Sequence, residues 1–516
     1  MLNRRCRPSH EQWMAACAIS AVVAAITTPV VVSVNVWVGA STAVLCFVPI
    51  RWIAARMPEM LSGARQRRPV LSVVWLVLVL IAVVQMTRLS AFMVDSSRLW
   101  GSTIPAAANH QCLAAYVHAA DLSRRGERNV YDERWYPAFT TPLYTEARGV
   151  DSPVTGLGRW VVDPYEYPPP FLVLPRAALA ITNSFEHIRT GWFVIQALCL
   201  VVGGLLLVRW IGGREGIVTG LLLPAILASV PTMLNFQFGQ FHAMAIMLAI
   251  AAMVAFDQRR LAVGGALLSF AILSKIFPGL LLVMLAGQRR WREIGWTLGF
   301  GVTFVILALL ILGTDPFVAF VSYQLPRIVS GEAFSFIERA DVPLFIVSRN
   351  FSIYGIVAKL RLLGLAGVGP RTAHVLTWGY TMLLLWLAWR ARIASPNRRW
   401  QVMAWLALLN LAALRSPVAP SAYVTAPMLW LLALLAAEVR HRYSMAIALG
   451  VMWVVIVGPP PLPDRIDLVL VLLGQGVALA LGIWVLMRAR PTTSELPTMT
   501  VSAGLVNGRC KRSTHP

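Results

Sequence analysis

Lys275 is the residue whose position in the sequence most directly suggests chemistry. It is one of three lysines in a chain of 516 residues, and it lies inside the apolar stretch 261–287. A lysine within a membrane costs about 2.5–3.5 kcal/mol on the insertion scale, so it usually pairs with a partner or extends its ammonium group to the surface. The sequence Ser274-Lys-Ile-Phe-Pro278 predicts the apex of a short hairpin. A lipid phosphate is a suitable partner there; the alternative is an ammonium group that reaches the surface without any function.

Residues 110–125 combine an apolar stripe with polar side chains that include Tyr116 and Asp121. The apolar residues recur at the spacing of a helix face, which predicts a short helix at the membrane interface. The carboxylate of Asp121 is a possible proton acceptor. The alternative is an amphipathic surface helix that takes no part in catalysis.

Two carboxylates and two tyrosines stand directly before three prolines, in the sequence Asp163-Pro-Tyr-Glu166-Tyr-Pro-Pro-Pro170. The prolines predict an extended turn, and the apolar run 171–182 is too short to cross a membrane, which predicts a re-entrant segment. Asp163 and Glu166 can accept hydrogen bonds from sugar hydroxyls, and the rings of Tyr165 and Tyr167 can stack on a sugar. The alternative is a proline-rich loop anchored by interfacial tyrosines.

Amide and imidazole groups precede another apolar run. The sequence Asn235-Phe-Gln-Phe-Gly-Gln240-Phe-His242 predicts a short outer turn that opens a span. Gln240 and His242 at the start of a helix suit a hydroxylated or phosphorylated ligand.

These residues must be positioned by membrane helices. The chain is 58% hydrophobic and 13% charged, with a mean hydropathy of +0.67, whereas a soluble domain is about 45–50% apolar and about 25% charged. The excess comes as continuous apolar runs of membrane-spanning length, which excludes a soluble protein and also a β-barrel, whose strands alternate in hydropathy. The net charge of +22 is typical of basic cytoplasmic loops, so no nucleic-acid partner is predicted.

The arginine clusters between the apolar runs predict the topology, because Lys and Arg concentrate in cytoplasmic loops. The first apolar stretch, residues 13–50, has Thr28-Pro29 at its middle and predicts a hairpin with both ends inside. The next span leads to a long first outer region, residues 95–188; a second outer region covers residues 314–372. The prediction is an all-α polytopic membrane protein with a cytoplasmic C-terminus and about 12–14 transmembrane or re-entrant helices. Further spans are predicted near 190–208, 217–235, 241–256, 295–313, 374–390, 401–415, 421–438, 444–458 and 466–487.

The acidic residues fall mainly on the predicted outer side. Of 23 Asp and Glu residues, 16 lie in predicted outer regions, seven in predicted inner regions and none inside a predicted span. Ion-coupled transporters usually carry carboxylates at mid-membrane, so this distribution argues against a pump. It favours chemistry at the outer face, and neither a cofactor nor a metal site is predicted.

Together these motifs resemble the glycosyltransferase family 87 membrane proteins, which include polyprenyl-phosphate-mannose-dependent mannosyltransferases and arabinofuranosyltransferases of bacterial envelopes. The resemblance covers about residues 70–440. It leaves outside an N-terminal hairpin with a basic loop (1–69), C-terminal helices (441–490) and a cytoplasmic tail (491–516). Its landmarks are Tyr116 to Asp132, Tyr167-Pro-Pro-Pro-Phe171, Gly239-Gln240, Ser274-Lys275 with Pro278, Asn350 to Gly355, and Ser416-Pro417 with Tyr423.

The sequence departs from the family pattern at one position. The family has an aspartate, the presumed catalytic base, about four residues before the tyrosine that matches Tyr116, and this chain has Cys112 there. A neutral thiol is a poor replacement for a carboxylate base. The other outer acids are therefore the candidates, with Glu166 slightly preferred to Asp163. Asp121 is the least suitable, because nine residues place it on the opposite helix face from position 112.

The resemblance implies a helical bundle of the GT-C type in the bacterial cytoplasmic membrane, with an active site that faces outward. The implied reaction moves a hexosyl or pentosyl unit from a polyprenyl-phosphate donor to an envelope lipid or polysaccharide acceptor. Lys275 would hold the donor phosphate, and Gln240, His242, Tyr116 and Tyr167 would contact substrate. The alternative is a non-catalytic flippase or assembly partner for lipid-linked saccharides, which would also need basic residues and a long outer loop.

Overall fold

The computed structural model of this chain is built from helices. It describes residues 10–33, 36–54, 69–97, 111–136, 150–333, 347–348, 350–392, 397–416, 418–419 and 464–488, together with Leu432 and Leu435. Within these residues the chain forms α-helices, three short 3-10 helices and one π-helical turn, with no strand. The predicted all-α fold is confirmed.

The N-terminal helices lead to the first long polar region. The helices are α1 (His10–Val32), α2 (Val36–Leu45), α3 (Ile50–Ala54), α4 (Pro69–Val94) and α5 (Cys112–Arg124). Helix α1 continues through Pro29 and ends at Val32, so the break in the first apolar stretch comes after Thr28-Pro29 and not at it.

The central helices surround the motifs identified above. They are α6 (Pro169–Ile181), α7 (Phe185–Ile211), α8 (Gly213–Leu227), α9 (Val230–Gln237), α10 (His242–Asp257), α11 (Leu261–Ser274), α12 (Leu280–Gly287) and α13 (Trp291–Leu312). Pro169 and Pro170 occupy the first turn of α6, where their missing N–H groups have no intrahelical partner to lose. The expected extended turn is therefore limited to Pro168, and the other two prolines start a helix.

The remaining helices complete the bundle. They are α14 (Asp315–Ala319), α15 (Leu325–Ser330), α16 (Ile353–Leu362), α17 (Pro370–Arg390), α18 (Arg398–Ala413) and α19 (Asp464–Arg488). A π-helical turn, Phe320–Gln324, joins α14 to α15.

Five helices of the described residues are long and apolar enough to cross a membrane, and a bent pair gives a sixth. The bent pair, Glu215–Leu227 and Pro231–Gln237, turns by 59° within the span predicted near 217–235. The chain is therefore a polytopic membrane protein. The five spans are Gln12–Val32, Val73–Val94, Phe185–Ile211, Trp291–Leu312 and Arg465–Arg488. The predicted span at 444–458 and most of the one at 421–438 lie outside the described residues.

Some carboxylates lie nearer the membrane than predicted. Glu186 and Glu293 fall within the first turn of spans that begin a few residues earlier than expected, and Asp467 falls within the first turn of the last span. All three are at helix ends, so in the described spans the carboxylates still avoid the middle of the bilayer.

Four turns with arginines meet at one end of the bundle. The Trp210 indole donates to Asp257 (2.9 Å), Arg398 donates to the Trp210 carbonyl (2.7 Å), and Arg290 lies over the Phe256 ring. Helix α10 runs 16 residues from this end to His242, a distance of about 24 Å at 1.5 Å per residue. The turns predicted to share one side of the membrane thus share one end of the protein, and His242 lies near the other end.

Candidate functional site

Helix α5 lies inside the protein and not on its surface. Every residue from Cys112 to Leu122 is buried. The helix was expected to expose a polar face, but its polar side chains have internal partners: Tyr116 and Asp121 in the networks described below, and His118 at the carbonyl of Trp135 (3.1 Å). The surface-helix interpretation is wrong because these side chains bond within the fold.

Four side chains from separate parts of the sequence meet at the start of α5, and we call them the tyrosine–lysine cluster: Tyr116, Tyr167, Gln240 and Lys275. The hydroxyls of Tyr116 and Tyr167 are 2.6 Å apart, and each lies 2.9 Å from Oε1 of Gln240. The ammonium group of Lys275 donates to the Tyr167 hydroxyl at 2.5 Å and lies 4.0 Å from the centroid of its ring. Four residues predicted to contact substrate are therefore neighbours.

The predicted break at Lys275 is present. Helix α11 ends at Ser274, Lys275 has an extended backbone, and a 3-10 turn over Phe277–Gly279 leads into α12. Helix α11 packs against α10 and α13, whereas the main neighbour of α12 is α17. Helices α11 and α12 therefore pack against different neighbours, and Lys275 lies at the break between them.

The turn that carries Gln240 is fixed by close contacts. Gly239 has φ +63°, and a Cβ atom there would lie 2.7 Å from Cβ of Leu113. The Trp192 indole donates to the Gly239 carbonyl (3.0 Å), and the amide of Gln111 donates to the carbonyl of Gln237 (2.6 Å). A glycine is therefore needed at 239, and the turn cannot shift without losing both bonds.

His242 is the first residue of α10 and adjoins the cluster. Its ring stacks on Phe277 with centroids 4.5 Å apart and an interplanar angle of 22°. The side chain is buried, and Nε2 has no hydrogen-bond partner among the described residues. An imidazole nitrogen and an ammonium group therefore lie on neighbouring elements.

Glu166 is the described acid whose negative charge interacts with the Lys275 ammonium group. Burial raises the pKa of Glu166 well above the usual range of a carboxyl group; the positive charge of Lys275 opposes this shift, and the negative charge of Asp163 adds to it. The side chain is half-buried and makes no hydrogen bond or ion pair with the described residues. It is therefore a carboxyl group with unused acceptor capacity beside the cluster.

The tyrosines on either side of Glu166 are buried. Tyr165 is buried and packs against Tyr131, with ring centroids 5.5 Å apart, and Tyr167 is also buried. Both rings therefore lie in the protein core. Stacking of these rings on a sugar stays a prediction, and in this structure their neighbours are the rings of Tyr131 and Phe171.

Asp121 belongs to a different network. Its buried carboxylate pairs with Arg124 (2.8 Å) and Arg125 (3.3 Å) and accepts a bond from the Ser152 hydroxyl (3.0 Å). The structure does not bring Asp121 to the tyrosine–lysine cluster.

Comparison with protein-family models gives a match to glycosyltransferase family 87 over residues 165–417. The chain belongs to glycosyltransferase family 87. With its apolar helices, it is a membrane glycosyltransferase. No match is found among curated proteins or among solved structures.

The family match contains Tyr167, Gln240 and Lys275 but begins after Tyr116 and Cys112. The fold nevertheless joins the two parts. Cys112 is buried one helical turn before Tyr116, and its sulfur lies 3.8 Å from Nε2 of Gln240. The position at which the family resemblance expects an aspartate is therefore part of the cluster in this family 87 protein.

An aromatic wall supports the cluster and was not predicted. Phe171 stacks on Tyr167 (4.9 Å), and Phe241 packs against Phe171 (5.0 Å) and Trp192 (5.8 Å). Phe171 and Phe241 belong to the recognised motifs, but apolar rings within apolar segments carry no sequence signal of a site. Trp192 could not be identified from the sequence, because the residues it contacts, Gly239 and Phe241, are distant from it in the chain.

Within the described part of the chain, no group of three or more His, Cys, Asp and Glu side chains is arranged to hold a metal ion.

Proposed function

We propose that this family 87 protein transfers a hexosyl or pentosyl unit from a polyprenyl-phosphate donor to an envelope lipid or polysaccharide acceptor, at the outer face of the bacterial cytoplasmic membrane. The observation that carries the proposal is the ammonium group of Lys275, held by Tyr167 at a break between two short apolar helices.

Lys275 and His242 suit the phosphate of the donor. A lipid-linked phosphate lies at the boundary between apolar chains and polar groups, and the break at Lys275 brings a cation to such a boundary. The unpaired Nε2 of His242 can add a hydrogen bond to a phosphate oxygen when it carries the proton. Tyr116 and Gln240 hydrogen-bond to the Tyr167 hydroxyl, and this hydroxyl in turn orients Lys275.

The cation has a defined task in the transfer step. The acceptor hydroxyl attacks the anomeric carbon, the bond from that carbon to the phosphate oxygen breaks, and polyprenyl phosphate leaves with the electron pair. An ammonium group beside the leaving oxygen stabilises the charge that develops there. It stabilises the transition state more than the ground state, because the leaving phosphate gains negative charge as the bond breaks.

Glu166 is the proposed acceptor of the proton. It is the described acid whose charge interacts with Lys275, and its raised pKa makes it a stronger base than an exposed carboxylate. Asp163 contributes to that raised pKa through its negative charge. Asp121 is bound by two arginines and is not proposed for the role.

The outer location is supported by the distribution of charge. The arginine-containing turns cluster at the end of the bundle opposite to His242, and arginine clusters usually mark the cytoplasmic side. The cluster then lies toward the outer side, where lipid-linked sugar donors would be presented.

The direct test is transfer from a labelled polyprenyl-phosphate sugar to an envelope glycolipid extract, with purified protein in detergent micelles. Lys275→Met is expected to abolish transfer and weaken donor binding, and Lys275→Arg is expected to retain part of both, since it keeps the charge but not the compact ammonium group. Lys511→Met removes the same charge from the C-terminal tail and serves as the matched control. Unchanged donor affinity in Lys275→Met would refute the assignment.

The micelle also separates the proposal from the flippase alternative. A micelle has no second leaflet, so flipping cannot produce a transferred sugar there. Transfer that requires Glu166 supports an enzyme. Donor binding without transfer in micelles, combined with donor translocation in vesicles, would favour the flippase.

A further inference from the structure

A second charged cluster lies where the end of α5 meets the middle of α6, and we call it the arginine cluster: Arg124, Arg125 and Arg176 around Asp121. Arg124 and Arg125 end α5, and Arg176 lies midway along α6. It is separate from the residues proposed above for sugar transfer.

Two of the arginines share one buried carboxylate. Asp121 is fully buried and pairs with Arg124 and Arg125, whose side chains are 34% and 35% exposed. Arg124 also donates to Oδ1 of Asn183 (3.0 Å). Their position at a helix C-terminus is favourable for positive charge, so the fold alone accounts for these two residues.

The fold does not account for Arg176. Its guanidinium interacts electrostatically with Arg124 and Asp121. Nη1 is buried and has no hydrogen-bond partner among the described residues. Asp121 supplies one negative charge to all three guanidinium groups, so a further anion at the unused donor of Arg176 would be favourable.

Three guanidinium groups and one carboxylate leave an excess of two positive charges at this place. Guanidinium groups present planar pairs of donors that match phosphate oxygens, and several of them together bind a doubly charged group. We propose that the arginine cluster is a second anion site that binds a phosphate group on the acceptor substrate.

The spacing of the two clusters agrees with an acceptor site. Tyr116 and Arg124 are eight residues apart on α5, about 12 Å along the helix axis. Helix α6 runs the same way, since Phe171 near its start packs against Tyr116 (5.1 Å) and Asn183 just past its end accepts a hydrogen bond from Arg124 (3.0 Å). An acceptor bound by its phosphate at one end could thus present a hydroxyl group at the other.

The neighbours of the cluster favour a polar ligand over a membrane lipid. Ser152 and Asn183, which complete the network, belong to the polar segments before α6 and before α7.

Both the acceptor and a bilayer lipid carry phosphate, so the experiment must distinguish these two sources of phosphate. The identity of the ligand as acceptor rests on the proposed function, whereas anion binding does not.

The test measures the unfolding midpoint of the full chain in phosphatidylcholine nanodiscs as inorganic phosphate replaces chloride at constant ionic strength. A ligand that binds the native state raises the midpoint. We expect a rise for the wild type, loss of the rise in Arg176→Gln, and a retained rise in the control Arg128→Gln, which removes an exposed arginine nearby. The Nη1 donor of Arg176 has no hydrogen bond to the described residues that the substitution could break, so the variant is expected to fold.

Three results would overturn the proposal. One is a rise in Arg176→Gln equal to that of the wild type, which would mean that phosphate acts elsewhere. Another is no rise in the wild type. The third is a midpoint that responds to phosphatidylglycerol in the nanodisc but not to inorganic phosphate, which would assign the cluster to a lipid headgroup. Because no sugar transfer is needed, these results are independent of whether the proposed reaction occurs.

Discussion

Replacing Tyr167 by phenylalanine removes a single oxygen atom from the centre of the tyrosine–lysine cluster. The ring remains, so its stacking on Phe171 and its contact with the Lys275 ammonium group are retained. The hydroxyl bonds to Tyr116, Gln240 and Lys275 are lost. The variant therefore asks whether the orientation of Lys275 matters for transfer.

The bond to Lys275 sets the expected magnitude. A hydrogen bond to a charged group is worth about 1.5–3 kcal/mol. If the oriented ammonium group acts mainly on the leaving phosphate in the transition state, that loss corresponds to about a 10- to 150-fold fall in kcat, at about 1.36 kcal/mol per factor of ten. Donor KM should change much less, because the charge itself remains.

The matched control is Tyr165→Phe, two residues earlier in the same segment. The Tyr165 hydroxyl is buried without a hydrogen-bond partner among the described residues, so its removal should leave both stability and turnover nearly unchanged. Initial rates of sugar transfer and unfolding midpoints would be measured for both variants. Equal rates in Tyr167→Phe and Tyr165→Phe would refute the claim that the Tyr167 hydroxyl positions Lys275.

Four further outcomes are expected. Because the pKa of Glu166 is raised, its basic form appears only at a higher pH than for a free carboxyl group. Turnover should therefore rise with pH through that pKa. A Glu166→Gln variant with wild-type turnover would show that Glu166 is not the base. Cys112→Ser should keep turnover, and a loss would instead indicate that the thiol itself takes part. Asp121→Asn should lower stability by about 1–3 kcal/mol, less than for a fully buried ion pair because its partners are one-third exposed, and a calorimetric midpoint equal to that of the wild type would contradict this. In intact cells, a cysteine introduced at 150 should be labelled from outside and one at 500 protected; the reverse pattern would invert the topology.

Sequence reasoning found the members of the cluster but not their assembly. Lys275 was identified because a lysine in an apolar run is costly, Gln240 from its place before a helix, and Tyr116 and Tyr167 from motifs shared with the family. Their contacts span up to 124 residues between Tyr116 and Gln240, and no local pattern encodes such a distance. The break at Lys275 was predictable because a proline and a lysine both disfavour a continuous apolar helix.

Burial was the property that the sequence could not supply. An apolar helix face looks the same whether it meets lipid or protein, so α5 was assigned to the interface although the fold encloses it. For the same reason Tyr165 and Tyr167 were expected to face substrate, since a tyrosine suits both a membrane surface and a core. The prolines before α6 were expected to form a turn, although proline is equally favoured in the first turn of a helix.

Helix α10 has a consequence for the shape of the surrounding bilayer. It connects the arginine end of the bundle to the tyrosine–lysine cluster in about 24 Å, whereas the hydrocarbon layer of a typical membrane is about 30 Å thick. Any tilt of the helix shortens this span further. With the arginines held at one headgroup layer, the cluster lies several ångströms short of the other, so either the lipids around it are locally thinned or water enters from that side. In both cases the phosphate of the proposed donor would meet Lys275 below the general level of the headgroups.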